Sequence, residues 1–300
     1  LSKYCKLDRG LYYKKKLEQT IEFLKKDFLN KEGLLGSAYD ADSDGEEGKY
    51  YVYSYNEVKA IENIEKYFEI NPEGNWENKT ILVEKESPDK ETIKKLLEIR
   101  TKRKKPFFDD KTQLDLNCLW ISSLIVASEI LPEKGYLKLA EDFFSKIEKK
   151  YINQKIYHSY SKEIVFIEDY AFLFNSLNDL ADKTMNFKYK TLAKKLSLEA
   201  YDKFYLVNKN IFQKNPKDNN DVFFVPVDIG DNTIPNGNAM MLINFVRLGM
   251  MDKAKPLADS LHGYLNIYKN HMMTSLRALD YYNNILKGKN CNEQGCKVDV

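Results

Sequence analysis

The feature that most restricts this chain is a helical period that recurs along it. From Leu11 to Phe28 the apolar positions Leu17, Ile21, Leu24 and Phe28 fall three or four residues apart, with lysines and glutamates between them. That spacing lays one apolar stripe along a helix. Phe166, Tyr170, Phe174, Leu177 and Ala181 repeat it. Segments from about Ser54 to Phe68, Asp89 to Lys104, Leu114 to Leu131, Tyr136 to Tyr151, Phe187 to Leu206, Ala239 to Leu248 and Asp252 to Lys287 also read as helices, the last broken near Gly263 and Asn270. Each stripe must be buried against another element, and short links make neighbours antiparallel. The residues therefore predict an all-α chain of helical hairpins, about nine helices in all. Strands are expected only in connections, at Lys49–Ser54, within 71–85 and at Val222–Val227. Ser54 with Glu57 three residues on has the capping-box pattern. Gly33 is placed to end the first helix.

The totals exclude several classes. With 47 basic and 45 acidic residues the net charge is +2, which leaves no footprint for nucleic acid. The run Arg100, Lys102, Arg103, Lys104 and Lys105 reads as a solvated helix end. No run of about eighteen apolar residues spans a membrane, and no signal peptide is visible. The chain opens on Leu1 rather than Met, so its true N-terminus is expected upstream. Cys5, Cys118, Cys291 and Cys296 are too few for a disulfide scaffold; a reduced, cytoplasmic setting is expected. Cys291 and Cys296 have neither redox nor zinc spacing and read as incidental thiols of a polar tail, residues 289–300.

Residues 33–54 stand apart. They crowd Asp40, Asp42, Asp44, Glu46 and Glu47 between apolar or aromatic runs, with Gly45 and Gly48 to turn the chain. Such carboxylates need solvent, a cation or a proton to coexist. Asp40 to Gly45 matches the first half of a calcium loop, but Tyr51 stands where the bidentate glutamate is required, so no metal is expected. Ser37 to Tyr53 resembles the "SAxDADSEGxEGxFYVW" motif of the YyaL / spermatogenesis-associated protein 20 family, thioredoxin-domain proteins with a large helical region. Four further segments resemble that family. Residues 74–82 are similar to "GNxEGKNIL", with departures at Asn78 and Thr80. Residues 103–117 are similar to "RxxPxxDDKxLTxWN", with Leu114 and Leu116 at the threonine and tryptophan positions. Residues 156–182 carry Glu168, Asp169, Tyr170, Ala171 and Phe172 of "LEDYAF". Asp231 to Asn238 is similar to "DGAxPSGNS", with Asn236 replacing the serine. Val225 and Val227 stand where basic residues are expected.

The resemblance implies an incomplete (α/α)6 toroid of helical hairpins with short β-hairpins in the connections, covering residues 1–288. It is similar to six-hairpin glycosidases, and the thioredoxin-like domain is expected elsewhere in the full-length chain. In such a toroid the loop–helix junctions would gather at one end and bring carboxylates into one cleft, the arrangement glycoside chemistry needs. Asp42, Asp110 and Asp169 are the expected catalytic groups. Tyr39, Asp40, Asp109, Lys111, Asn117, Glu168, Tyr170, Asp231 and Asn238 are expected around the substrate, with Trp76 available to stack on a sugar. The competing use of these carboxylates is helix capping and pairing with lysines. Of His158, His262 and His271, none is assigned to a motif segment, which counts against epimerisation. No cofactor is expected. The function implied is a carbohydrate-active or sugar-binding toroid, with a carbohydrate ligand as partner. The alternative is a non-catalytic scaffold or client-binding module for the thioredoxin-like domain.

Overall fold

The structure, a computed structural model, describes residues 1–7, 10–153, 155–159, 163–218 and 226–288, with the backbone of 291–292 and 295–296. Among them are nine helices of eleven residues or more. These are α1 (Leu11–Asp27), α2 (Lys90–Thr101), α3 (Leu114–Ile130), α4 (Tyr136–Ile147), α5 (Ile167–Thr184), α6 (Phe187–Phe204), α7 (Gly237–Arg247), α8 (Met251–Leu265) and α9 (Met273–Leu286). Strands are short and occur in pairs: β1 (Gly36–Tyr39) with β6 (Phe108–Thr112), β2 (Asp42–Ser43) with β3 (Glu46–Glu47), β4 (Phe68–Glu69) with β5 (Val83–Glu84), and β7 (Tyr205–Leu206) with β8 (Ile211–Phe212). The chain is thus all-α with small hairpins in its connections, as its periodicity predicts. It forms two compact units, one of Leu1–Gly36 with Lys111–Val300 and one of Ser37–Asp110.

In the helical unit α3 packs on α4 and α5, α5 on α6 and α7, and α7 on α8 and α9. Alternate helices therefore form an inner row, α3–α5–α7–α9, and α4, α6 and α8 flank it. Burial follows position. Every residue of Ile167–Phe174 in α5 and of Gly237–Val246 in α7 is buried. By contrast α6 and α8 bury single stripes, Ala193, Leu196, Ala200 and Phe204 in one and Ala254, Leu257, Ala258 and Leu261 in the other. A helix covered on all sides is apolar all round, and a flanking helix needs only one stripe. This alternation of hairpins is the pattern of an incomplete α/α toroid.

Two asparagines tie connections to the starts of inner helices. Asn117 accepts from Leu35 N–H at 2.9 Å and donates to the Leu35 and Gln113 carbonyls at 3.0 and 2.9 Å. Asn238 accepts from Phe212 N–H at 2.8 Å and donates to the Phe212 and Asp228 carbonyls, both at 3.0 Å. Each fully buried carboxamide satisfies backbone groups that have left regular structure.

The unit Ser37–Asp110 corrects three expectations. The acidic hairpin turns on Asp44 and Gly45, both left-handed with φ of 53° and 75°, as an Asp-Gly turn requires. Lys49–Ser54 is not a strand. Gly48, at φ 67°, accepts from Tyr51 and Val52 N–H through its carbonyl, so the chain coils, and only Tyr53 pairs, with Thr80. The capping box at Ser54 forms, with Ser54 N–H on Glu57 at 2.7 Å. However, the helix stops at Val58 and a second turn starts at Ile64, with Asn63 left-handed between them. The break lets Val58, Ile61 and Ile64 share one small core with Leu96. Arg103 is no solvated helix end either: it donates to the carbonyls of Lys49, Tyr50 and Val52, pairs with Glu57 at 2.9 Å and covers the Tyr53 ring. In the expected strand Val222–Val227, residues 222–225 lie outside the described residues. So do most residues of the polar tail and the Cys291 and Cys296 side chains.

Candidate active site

Three inner helices begin at one cavity of about 450 Å³. Gln113 and Asp115 line it from the start of α3, Phe166 and Glu168 from the start of α5, and Asn236 from the start of α7. His158, Lys214, Asp228, Gly230 and residues 232–235 complete most of the wall.

Local backbone bonding sets each side chain. Leu114 N–H donates to the His158 carbonyl at 2.9 Å and His158 N–H to Ile164 at 2.7 Å, which fixes His158 beside the first turn of α3. Ile167 N–H donates to the Lys214 carbonyl at 3.0 Å, and Lys214 N–H to that of Pro226 at 2.9 Å, so Lys214 lies beside the first turn of α5. The loop before α7 is folded by Asn236. Its side chain caps the helix by accepting from Ala239 N–H at 3.0 Å and donates to the Asp228 carbonyl at 2.9 Å. Asparagine and serine are comparably good N-caps.

His158 is the centre of a buried polar cluster. Its Nδ1 lies 3.0 Å from Asp169 Oδ1 and 3.8 Å from Asp115 Oδ1, and its Nε2 lies 3.1 Å from the Gln113 side-chain amide. A proton on Nδ1 shared with Asp169 leaves Nε2 to accept from the amide. Asp169 is fully buried, and its other oxygen accepts from Phe166 N–H at 2.8 Å, capping α5. Asp115 also accepts from Leu116 N–H at 2.7 Å. Burial opposes the imidazolium, but the hydrogen bond to Asp169 and the charges of Asp169 and Asp115 outweigh it, so the His158 pKa is raised. Burial, and then the charge of Asp169, pushes Asp115 up to about 6, against the pull of His158. Asp115, His158 and Asp169 offer ligand atoms within 4.8 Å of one another, a set that a divalent cation could use; the His158–Asp169 hydrogen bond is the competing use of the same atoms.

Glu168 is the other unusual group. It is buried, and its Oε2 has no hydrogen-bond partner among the described residues. Burial pushes its pKa up to about 7; Lys214 offsets this in part, while Asp228 and Asp169 add to it. Its Oε1 lies so near α7 that a Cβ at Gly237 would come within 3.0 Å, with Ile167 at 3.2 Å. Glycine is what allows this close approach. Near neutral pH the site thus holds a carboxylic acid with a proton to give and, across the same cavity, a carboxylate–imidazole pair able to take one.

The residues expected from sequence are distributed as follows. Glu168 lines the cavity and Asp169 holds His158 from behind. Tyr170 is buried in the core, where its hydroxyl donates to Glu199 at 2.7 Å. Asn117 and Asn238 are the backbone ties described above. Asp231 accepts from Asn236 N–H at 3.0 Å and from Thr274 N–H at 2.6 Å, capping α9. Lys111 is exposed on β6. The others belong to the unit Ser37–Asp110. Asp40 Oδ1 accepts from Asp42 N–H at 3.2 Å, and Asp42 is exposed opposite Glu47. Tyr39 packs on Phe108 beneath Lys105. The Asp109 carbonyl accepts from Ser37 at 3.3 Å, Asp110 is exposed on β6, and half-buried Trp76 covers Gly48. Asp115, His158, Lys214 and Asp228 were not anticipated. His158, assigned to no motif segment by its sequence, lines this cavity. His158 lies eleven residues before Asp169, inside the 156–182 segment, and that proximity was the available signal.

Among the described residues no helix is long and apolar enough to cross a membrane. No family model matches the chain, and no curated protein matches it. Among solved structures it is similar to a sugar epimerase from a ruminal bacterium, at 14% identity and a TM-score of 0.40, over 83% of this chain and 69% of that one. It is also similar to a family 76 glycoside hydrolase, a mannosidase, from Bacteroides thetaiotaomicron, at 12% identity and a TM-score of 0.42, over 84% of this chain and 72% of that one.

Proposed function

We propose that the cavity at the starts of α3, α5 and α7 is an acid–base site for a carbohydrate, and that its reaction is glycoside hydrolysis. Glu168 is the proton donor to the leaving oxygen, and Asp115, backed by His158 and Asp169, is the ionised partner that activates water. The observation that carries this reading is the Glu168 carboxyl, buried with an unpartnered oxygen in a cavity that also presents Asp115. Such a carboxyl is held protonated near neutral pH. A second reading rests on His158. An imidazole oriented through Nδ1 by a buried aspartate is suited to moving a proton at carbon, as sugar epimerisation requires.

A panel of aryl glycosides separates the two. Under the first reading Glu168→Gln lowers kcat by about a hundredfold or more on poor leaving groups. It has little effect on dinitrophenyl glycosides, which need no acid. Under the second, reducing sugars exchange a carbon-bound hydrogen with heavy water, and His158→Asn abolishes the exchange. From its motif segments we further read the helical unit as part of a cytoplasmic thioredoxin domain-containing protein. If the whole panel gives neither turnover nor binding, the scaffold role for that domain replaces both readings.

A further inference from the structure

A second cavity, of about 520 Å³, lies within the helical unit among α1, α3, α5, α7 and α9, a size suited to a small organic ligand. Much of its wall is aliphatic, with Leu17 and Ile21 from α1, Leu119 from α3 and Ile243 from α7. Its ionic groups sit together: Lys3, Asp179, Arg247 and Arg277. Arg247 is fully engaged, on Asp179 at 2.7 Å and Asp182 at 2.8 Å. Neither Lys3 nor Arg277 forms an ion pair with a described residue. Lys190 also pairs with Asp182, at 3.1 Å, so the cations of this cluster outnumber its two carboxylates. Lys3 is exposed at the rim of the cavity, where partial desolvation and then the charge of Arg277 hold its ammonium below its ordinary pKa. Trp120 adds a second unmet need: it lines the same cavity, is 6% exposed, and its indole N–H has no acceptor among the described residues. A buried donor without a partner is costly, and neighbouring cations at a rim favour an anion between them. One ligand answers all three features: an aliphatic body for the wall, and an anionic head that accepts hydrogen bonds.

We infer that this cavity binds a medium-chain aliphatic carboxylate, with its chain against α1, α3 and α7 and its carboxylate between Lys3 and Arg277. Guanidinium and carboxylate match in a two-bond fork, and burying the chain supplies the apolar part of the affinity. A neutral alcohol of the same length would fill the wall and leave the excess charge unanswered.

The chain has two tryptophans, Trp76 and Trp120, so in Trp76→Phe the emission comes from Trp120 alone. Decanoate, titrated below its micelle concentration, is expected to change that emission saturably. 1-Decanol should bind about tenfold more weakly, a difference of about 1.4 kcal/mol. Arg277 is exposed on α9, so Arg277→Gln should fold, as circular dichroism would verify. That variant should lose about tenfold in decanoate affinity and keep its affinity for decanol. An unsaturable or absent response to decanoate, equal binding of the acid and the alcohol, or undiminished binding by Arg277→Gln would each overturn the inference.

Discussion

At Glu168 two effects of opposite sign meet. It is the second residue of α5, where the helix end favours an anion. Burial and the nearby carboxylates favour the proton, and they win, raising its pKa from 4.5 to about 7. The consequence for stability has a definite direction. A group whose pKa is raised on folding contributes fully below its unfolded value, and that contribution is lost as pH rises through the folded one. For Glu168 the window runs from 4.5 to about 7, and the loss is about 3 kcal/mol once the group is ionised. Asp115, raised from 3.8 to about 6, acts in the same direction over its own window, and His158 does so as pH rises through its raised value. Glu168→Gln carries no such proton. Thermal melts from pH 5 to 8 should therefore show this variant gaining on the wild type as pH rises. A constant difference between the two would mean that Glu168 ionises in the folded protein as freely as in water.

Within α5 three consecutive residues do three different things. Glu168 faces the cavity, Asp169 holds His158 and caps the helix, and Tyr170 bonds Glu199 in the core. A helix turns about 100° per residue, so neighbours in sequence cannot share a direction. The start of α7 is governed by a different device. Asn238 satisfies both polar groups of Phe212 and also holds the Asp228 carbonyl, at the edge of the cavity. Asn238→Ala leaves buried backbone groups without partners and should cost about 2–3 kcal/mol in urea unfolding. It should also raise KM for any substrate of the site, because the loop carrying Asp228 loses an anchor. A loss below about 0.5 kcal/mol would show that water or backbone replaces the carboxamide.

Over the whole molecule, stability is unevenly provided. The inner row α3–α5–α7 lies in one large core, whereas the unit Ser37–Asp110 has a core cluster of seven buried apolar residues, from Tyr53 to Leu96. Small cores bury less of their chain's surface and open more easily. Hydrogen exchange on the intact chain should show the amides of α2 exchanging well before those of α5 and α7, and heating should melt the two units in that order. Equal protection in α2 and α5 would mean that the two units open as one.

Helix placement was largely legible in sequence, because a buried stripe every three or four residues is a local requirement. The ends of α1, α3 and α6 fall within a residue or two of their expected positions, and the break between α8 and α9 includes Asn270, while Gly263 stays inside α8. The candidate site was less legible. Glu168 and Asp169 were visible as acids at a helix start, but not the division of labour between them. Asp115 and His158 are 43 residues apart in the chain and meet only because Leu114 bonds to the His158 backbone. Local chemistry determined which segments become helices and which connections are polar. Only the tertiary structure decided which acids are buried together, because burial and the approach of a distant charge, which raise the pKa values of Glu168 and Asp115, belong to no single stretch of sequence.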